Sequence, residues 1–344
     1  MVIIIGGDLY IFQEKRRDNR VLFSKFIDLC ALYDLHKKRS KEYQFSGVPT
    51  IDFEDIGTFY KVNKSIDIQF NDEVSNLHNY KIAKFEYESQ VKTGDVFNDV
   101  VRGKAYLNKN NNAPNVIFVH GWRMNSTKRI ENIYHEEMID LEWNMYYFTL
   151  PYHFEREPES SLFSGEYMVS ANIQRTVEST QQAVVDLRAL IHWIKENKEG
   201  PVILIGVSLG GIITNLTALV EPEIDVLTSV FYANKLSYSI WKTNPGKYIK
   251  KDLEENGVTY EQLKECWKAT EPSQSSPVMK KENVLLISAT QDQYVHMEDT
   301  SYLWESWGKP TRYLYNCGHA GIVLNRKKIA ADTIEFIRKR IILG

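Results

Sequence analysis

Residues 202–211 read VILIGVSLGG, and residues 212–220 continue as IITNLTALV. The unbroken apolar run Val202 to Val207 has the length of a strand and no polar side. A strand covered on both faces looks like this, because neither set of alternating side chains meets water. The stretch after Gly211 is apolar and periodic, as a helix following the strand would be. Between them lies Gly206-Val207-Ser208-Leu209-Gly210, a G-x-S-x-G pattern. A serine placed there sits on a sharp, strained turn that lifts its hydroxyl above the sheet edge. Gly206 and Gly210 are expected because side chains there would collide as the chain reverses. The helix that follows aims its first N–H groups and positive dipole end at the reacting centre.

The same texture recurs on both sides of this stretch. Short apolar runs stand at VIFVH (116–120), MYYFTL (145–150), VLTSVFYA (226–233), VLLISA (284–289) and YLY (313–315). Residues 172–195 and 326–342 carry apolar side chains at helical spacing between or after them. Strand and helix in alternation imply an open α/β domain with a mostly parallel sheet. Before residue 110 the pattern differs. Residues 80–91 alternate apolar and polar as a half-buried antiparallel strand does, with a partner expected at 98–108. Residues 21–37 have near-helical apolar spacing. The chain therefore divides into an N-terminal extension packed on the core, 1–79, and a main domain, 80–344. One interval, 235–281, is longer than a crossover needs and carries Tyr238, Trp241, Tyr248, Tyr260 and Trp267. It reads either as a lid over a pocket or as extra helices packed on the core.

Composition narrows the function classes. A formal net charge of -3 gives no footing for a nucleic-acid partner. Cys30, Cys266 and Cys317 are far apart, odd in number and form no CxxC pair, so neither a disulfide framework nor a thiolate zinc site is expected. A reducing, cytoplasmic setting fits. The N-terminal MVIIIGGDLYIF has too short an apolar run for a secretory signal, and its basic residues follow instead of leading. It reads as a buried strand or a tucked arm. No segment reaches the roughly 18 apolar residues that would span a bilayer.

A hydroxyl is a weak nucleophile at neutral pH, so Ser208 calls for a base and an acid to orient it. Both are expected later in the chain, acid before histidine, in loops that follow strands. VLLISATQDQYV (284–295) supplies Asp292, with Asp299 a substitute further on. YLYNCGHAGIV (313–323) supplies His319 just before the last helix. His296 precedes the final strand and suits the role poorly, and Cys317 reads as a small core residue. Charge developing on a substrate carbonyl needs fixed donors. The backbone N–H of Leu209 is one, and the loop His120-Gly121-Trp122 offers that of Trp122, or of Arg123, as the second. His120 is expected to brace this loop.

These residues resemble the α/β-hydrolase superfamily: the HGW loop, the elbow GVSLGG, the acid in SATQDQYV and the histidine in CGHAG, in that order over roughly residues 80–342. The resemblance implies an eight-stranded, mostly parallel sheet with helices on both faces, antiparallel first strands at 80–108, and a helical insertion between strands six and seven. It carries the same triad, Ser208, Asp292 and His319. A closer likeness lies in LPYHFEREPESSLFSGE (150–166), which is similar to the abhydrolase-domain-18-like branch at Pro151, Tyr152, Arg156 and Pro158. It implies that His153 and Arg156 stand at the carboxyl edge of the sheet, near the substrate. The alternative is that they brace the loop through Glu155, Glu157 or Glu159. The expected activity is acyl hydrolysis of a small-molecule substrate through an acyl-serine intermediate, without metal or organic cofactor, a carboxylesterase foremost. An amidase or peptidase, an acyltransferase with the same triad, and a non-catalytic ligand-binding fold are the alternatives.

Overall fold

The computed structural model describes residues 2–5, 8–11, 26–30, 32–34, 36–37, 44–51, 53–73 and 79–342. Its main sheet has nine strands: β1 Gln69–Glu73, β2 Tyr80–Glu88, β3 Val100–Asn108, β4 Asn115–Val119, β5 Asn144–Phe148, β6 Val202–Val207, β7 Val226–Val230, β8 Val284–Ala289 and β9 Thr311–Tyr315. The spatial order is β9-β8-β7-β6-β4-β5-β3-β2-β1. Strands β4 to β9 pair in parallel, whereas β1, β2 and β3 are antiparallel and β3 joins through Gly103–Phe148 to Tyr106–Met145.

One strand exceeds the eight expected. Strand β1 has the polar sequence QFNDE and a mostly exposed side-chain pattern, so it carries no periodic signal. Its charges guard an open edge, pairing Asp72 with Lys81 and Glu73 with Lys104.

The parallel strands are buried on both faces, and period two divides their side chains between two cores. Ile117, Val119, Leu204, Leu227 and Leu286 face one way, with helices α2 (Ile173–Asn197) and α3 (Leu209–Ala218) packed on them. Val116, Phe118, Ile203, Ile205 and Ile287 face the other, against α1 (Lys128–Asp140) and α5 (Arg326–Ile341). Helix α4 (Met297–Ser306) follows β8 and adds Leu303 to the first core. No helix among the described residues is long and apolar enough to cross a membrane.

The insertion 235–281 forms helices Leu236–Lys242, Lys247–Glu255 and Tyr260–Cys266. Leu253, Leu263 and Trp267 are fully buried in the first core, and the Trp267 indole N–H bonds the Ile173 carbonyl at 3.2 Å. In the N-terminal region Val2–Ile5 pairs antiparallel with Asp8–Ile11. The helical spacing read over 21–37 coincides with helix at 26–30, 32–34 and 36–37, while 21–25, 31 and 35 lie outside the described residues. So do the side chains of residues 2–11, on which the buried-or-tucked reading bears. Tyr60 anchors the following segment: it is fully buried, donates to the Ala269 carbonyl at 2.8 Å and accepts from Arg188 at 2.6 Å.

Candidate active site

Ser208 stands between β6 and α3 with φ 56° and ψ −115°, a left-handed conformation that costs a non-glycine residue. Its N–H bonds the Val230 carbonyl at 3.0 Å, and its carbonyl receives Gly211 N–H at 2.9 Å. The flanking glycines leave no room for a side chain. A Cβ on Gly206 would lie 2.3 Å from Thr214 Oγ1, and one on Gly210 would lie 2.1 Å from the Val119 carbonyl oxygen. Strain is concentrated along this edge. Arg123, Tyr152, Phe154, Ser208 and Phe231 all have positive φ, and all follow the carboxyl ends of β4, β5, β6 or β7.

Asp292 and His319 meet directly. His319 Nδ1 lies 2.7 Å from Asp292 Oδ2, while Asp292 Oδ1 accepts the N–H groups of Tyr294 (2.8 Å) and Val295 (2.9 Å). The carboxylate side chain is 2% exposed and the imidazole 19%, so Asp292 is enclosed and His319 is reachable. Backbone bonds from Thr290 to Tyr315 and from Gln291 to Cys317 zip the two loops together. The Tyr294 ring stacks on the imidazole with centroids 4.8 Å apart. Burial pulls the His319 pKa down, but the charges of Asp292 and Asp28 outweigh it and hold it above the ordinary value.

The other acid, Asp299, is used elsewhere. It accepts the Asn234 and Lys235 N–H groups after β7, and burial raises its pKa to about 7. His296 shares a hydrogen bond with Tyr238 at 3.2 Å. Burial lifts the Cys317 thiol to about 12, which keeps it protonated and inert.

Ser208 shares the rim with this pair. Phe231, next to the residue that bonds Ser208 N–H, has its ring centroid 6.2 Å from that of His319. Among the described residues no hydrogen bond joins the Ser208 hydroxyl to the imidazole, a contact that often tightens only when substrate binds. A Cβ on Gly121 would lie 3.3 Å from Ser208 Cβ, so the loop bearing Trp122 abuts Ser208. The Trp122 indole donates to the Gly165 carbonyl at 2.8 Å, and the Arg123 guanidinium lies 3.6 Å from the Phe163 ring centroid. His120 braces this loop from below. Its Nε2 accepts Leu150 N–H at 3.1 Å, which leaves Nδ1 to donate to the Gly121 carbonyl at 2.9 Å. Burial drops its pKa to about 4 and keeps it neutral.

His153 and Arg156 are both fully buried. Arg156 gives its donors to Asp186 (3.0 Å), Asn98 carbonyl (2.7 Å from Nη2) and Thr149 carbonyl (3.0 Å). These partners lie within the fold, and the acid it meets is Asp186 of α2, not Glu155, Glu157 or Glu159. His153 bonds the Pro151 carbonyl at 2.8 Å and stacks edge-on with His120. A Cβ on Gly165 would lie 2.2 Å from its Nε2, so that atom packs against Gly165, buried and without a hydrogen-bond partner among the described residues.

One residue at the site has no counterpart in the sequence reading. Asp28 is fully buried and accepts the N–H groups of His319 (3.0 Å) and Ala320 (2.7 Å). Its own carbonyl accepts the Tyr294 hydroxyl at 3.2 Å. A Cβ on Gly318 would stand 2.0 Å from Asp28 Oδ2. The N-terminal segment thus grips the histidine loop. No local pattern marks such a contact across 291 positions. The one hint is an aspartate between Ile27 and Leu29 in an otherwise apolar-spaced helix.

No protein-family model matches the chain. Over 116 residues, 34% of its length, the chain is 62% identical to the whole of the uncharacterized protein YdjC of Bacillus subtilis. The chain belongs to the family of that Bacillus protein. The uncharacterized protein Rv2627c of Mycobacterium tuberculosis is 28% identical over 177 residues, which span 49% of this chain and 39% of that relative. Among solved structures, the acetyl xylan esterase from Paenibacillus sp. R4 superposes with a TM-score of 0.62 at 14% identity, over 90% of this chain and 99% of that one. Acetyl xylan esterase 1 from Thermoanaerobacterium sp. JW/SL YS485 gives 0.62 at 12%, over 89% and 97%. The acylaminoacyl peptidase of Pyrococcus horikoshii gives 0.54 at 14%, over 77% of this chain and 42% of that one. At these identities the likeness is one of fold, and the fold is that of the α/β-hydrolases.

Proposed function

We propose that this protein is a serine acyl hydrolase acting on a small ester, with Ser208 as nucleophile, His319 as base and Asp292 as the acid that orients it. The observation that carries this reading is the 2.7 Å Asp292–His319 bond, on the same sheet edge as a serine held at φ 56°. With Nδ1 engaged by Asp292, Nε2 is the nitrogen left for the Ser208 proton. The serine oxygen bonds the substrate carbonyl carbon, and the backbone N–H groups of Leu209 and Trp122 hold the resulting oxyanion. Collapse expels the alcohol, which takes the proton from His319. A water molecule then repeats the sequence on the acyl-serine, releasing the acid and restoring Ser208. These steps need no cofactor.

In this reading residues 80–344 are the hydrolase domain, 1–79 an extension whose Asp28 reaches the base, and 235–281 an insertion that shapes the flank. The free thiols Cys30, Cys266 and Cys317 support a reducing, cytoplasmic setting. The known folds it resembles include esterases and a peptidase, so p-nitrophenyl esters should be run beside the matching p-nitroanilides. Wild-type protein should react with a fluorophosphonate probe, and Ser208→Ala should not. Folded wild-type protein that neither reacts nor turns over any ester would overturn the proposal.

A further inference from the structure

A cleft of about 520 Å³ opens beside the proposed catalytic centre. Arg123, Lys128, Arg129 and Arg326 line it, against one carboxylate among the described residues, Asp34. Gly121 lies between its wall and Ser208. A Cβ on Gly121 would lie 3.8 Å from Sδ of the lining residue Met124 and 3.3 Å from Ser208 Cβ. Val323, on the helical turn that follows His319, forms part of the rim. The Arg129 charge reaches the base itself and acts against protonation of His319.

The charges in this cleft are placed unfavourably. Some helical lysines pair with a carboxylate one turn away, as in Lys250–Glu254, Lys251–Glu255 and Lys339–Glu335. Lys128, Arg129 and Arg326 make no such ion pair among the described residues. Lys128 and Arg129 also open helix α1, where the helix dipole is positive and cations are disfavoured. An unfavourable charge placement that is kept beside a reactive centre points to a ligand that compensates it. An anion in the cleft would meet the cations and the helix N-terminus together.

We propose that this cleft receives an anionic group of the substrate, a carboxylate or phosphate carried on the ester, so that the preferred substrates are charged esters. This rests on the hydrolase reading. A neutral ester would leave the cleft to water and salt, whereas a charged one gains attraction that ionic strength weakens.

The test compares matched esters on the full-length protein. One pair, mono-p-nitrophenyl succinate and p-nitrophenyl levulinate, carries or lacks a charge on the acyl side. A second, 4-acetoxybenzoate and 4-acetoxybenzamide, does so on the alcohol side. In at least one pair the charged-to-neutral ratio of kcat/KM should be on the order of tenfold at low salt and fall toward one at high salt. The Arg129→Gln/Arg326→Gln double variant should lose most of that ratio, and a general loss of activity cancels because each ratio is taken within one protein. Inorganic phosphate binding by calorimetry should weaken in the same variant. Ratios near one in both pairs, with phosphate binding absent or indifferent to the double variant, would overturn the proposal. Variant-sensitive phosphate binding without turnover of any ester would retain the anion site and remove the hydrolase reading instead.

Discussion

Replacing Asp28 with asparagine tests how the N-terminal segment serves the base, because volume is kept while charge is removed. Asp28 accepts two backbone N–H groups, from His319 and Ala320. Asparagine has one acceptor atom for the two, so one buried N–H loses its partner at about 1–3 kcal/mol. The lost charge acts the other way. Burial, opposed by the two amides and the His319 charge and aided by Asp292, raises the Asp28 pKa from 3.8 to about 6. Two units at ~1.4 kcal/mol each make ionising it in the fold cost on the order of 3 kcal/mol. Because the folded pKa is the higher one, Asp28 supports the fold while protonated, and that support is lost as pH rises through about 6. Asp28→Asn has no such titration. Its stability relative to wild type should therefore improve by about 2 kcal/mol between pH 4.5 and 7.5, read from urea unfolding at each pH. Its activity should fall at every pH because the histidine loop is held less firmly. The acid limb of kcat/KM should also move to lower pH, since one of the charges that raises His319 is gone. Parallel stability curves together with an unmoved acid limb would refute the reasoning.

Two further substitutions separate chemistry from scaffold. Asp292→Asn removes the partner that fixes the imidazole tautomer, so kcat for ester hydrolysis should drop roughly 10³–10⁴-fold with thermal stability little changed. Arg156→Met leaves Asp186 buried without its cation and should cost about 3–5 kcal/mol in urea unfolding. Burial already raises the Asp186 pKa to about 6, so that penalty should be greatest above this pH, and adding Asp186→Leu should relieve it.

The parallel strands were legible because burial on both faces writes itself as an unbroken apolar run, and β4 to β8 are buried at every position. The elbow was legible because tight backbone approach excludes every residue but glycine at two fixed places. Strand β1 left no trace, since an exposed edge strand is free to be polar. The choice between Asp292 and Asp299 stayed open in sequence because both follow the same strand. Only the bond to His319 on one side and to Asn234 on the other separates them. Arg156 stands in a recognisable motif, but its acid lies on a distant helix and not among the adjacent glutamates. The basic cleft was hidden because its cations come from separate segments of a chain whose net charge is -3.

Two carboxylates surround one imidazole, and they divide the work between ring and backbone. Asp292 bonds the ring nitrogen, so it governs tautomer and basicity. Asp28 bonds main-chain N–H groups of the same loop and not the ring, so it governs where the ring is held, and its influence on basicity is through charge. Loss of Asp292 should therefore depress kcat even where the base is fully neutral. Loss of Asp28 should combine a smaller kcat loss with a pH-dependent change in stability. An extension that supplies the second carboxylate makes the N-terminal part of the chain a component of the proposed reactive edge. Truncation before Tyr60 should then reproduce the Asp28→Asn activity profile, whatever the substrate is. If truncated, folded protein kept both its rate and its acid limb, the grip of Asp28 on the histidine loop would have no part in the chemistry.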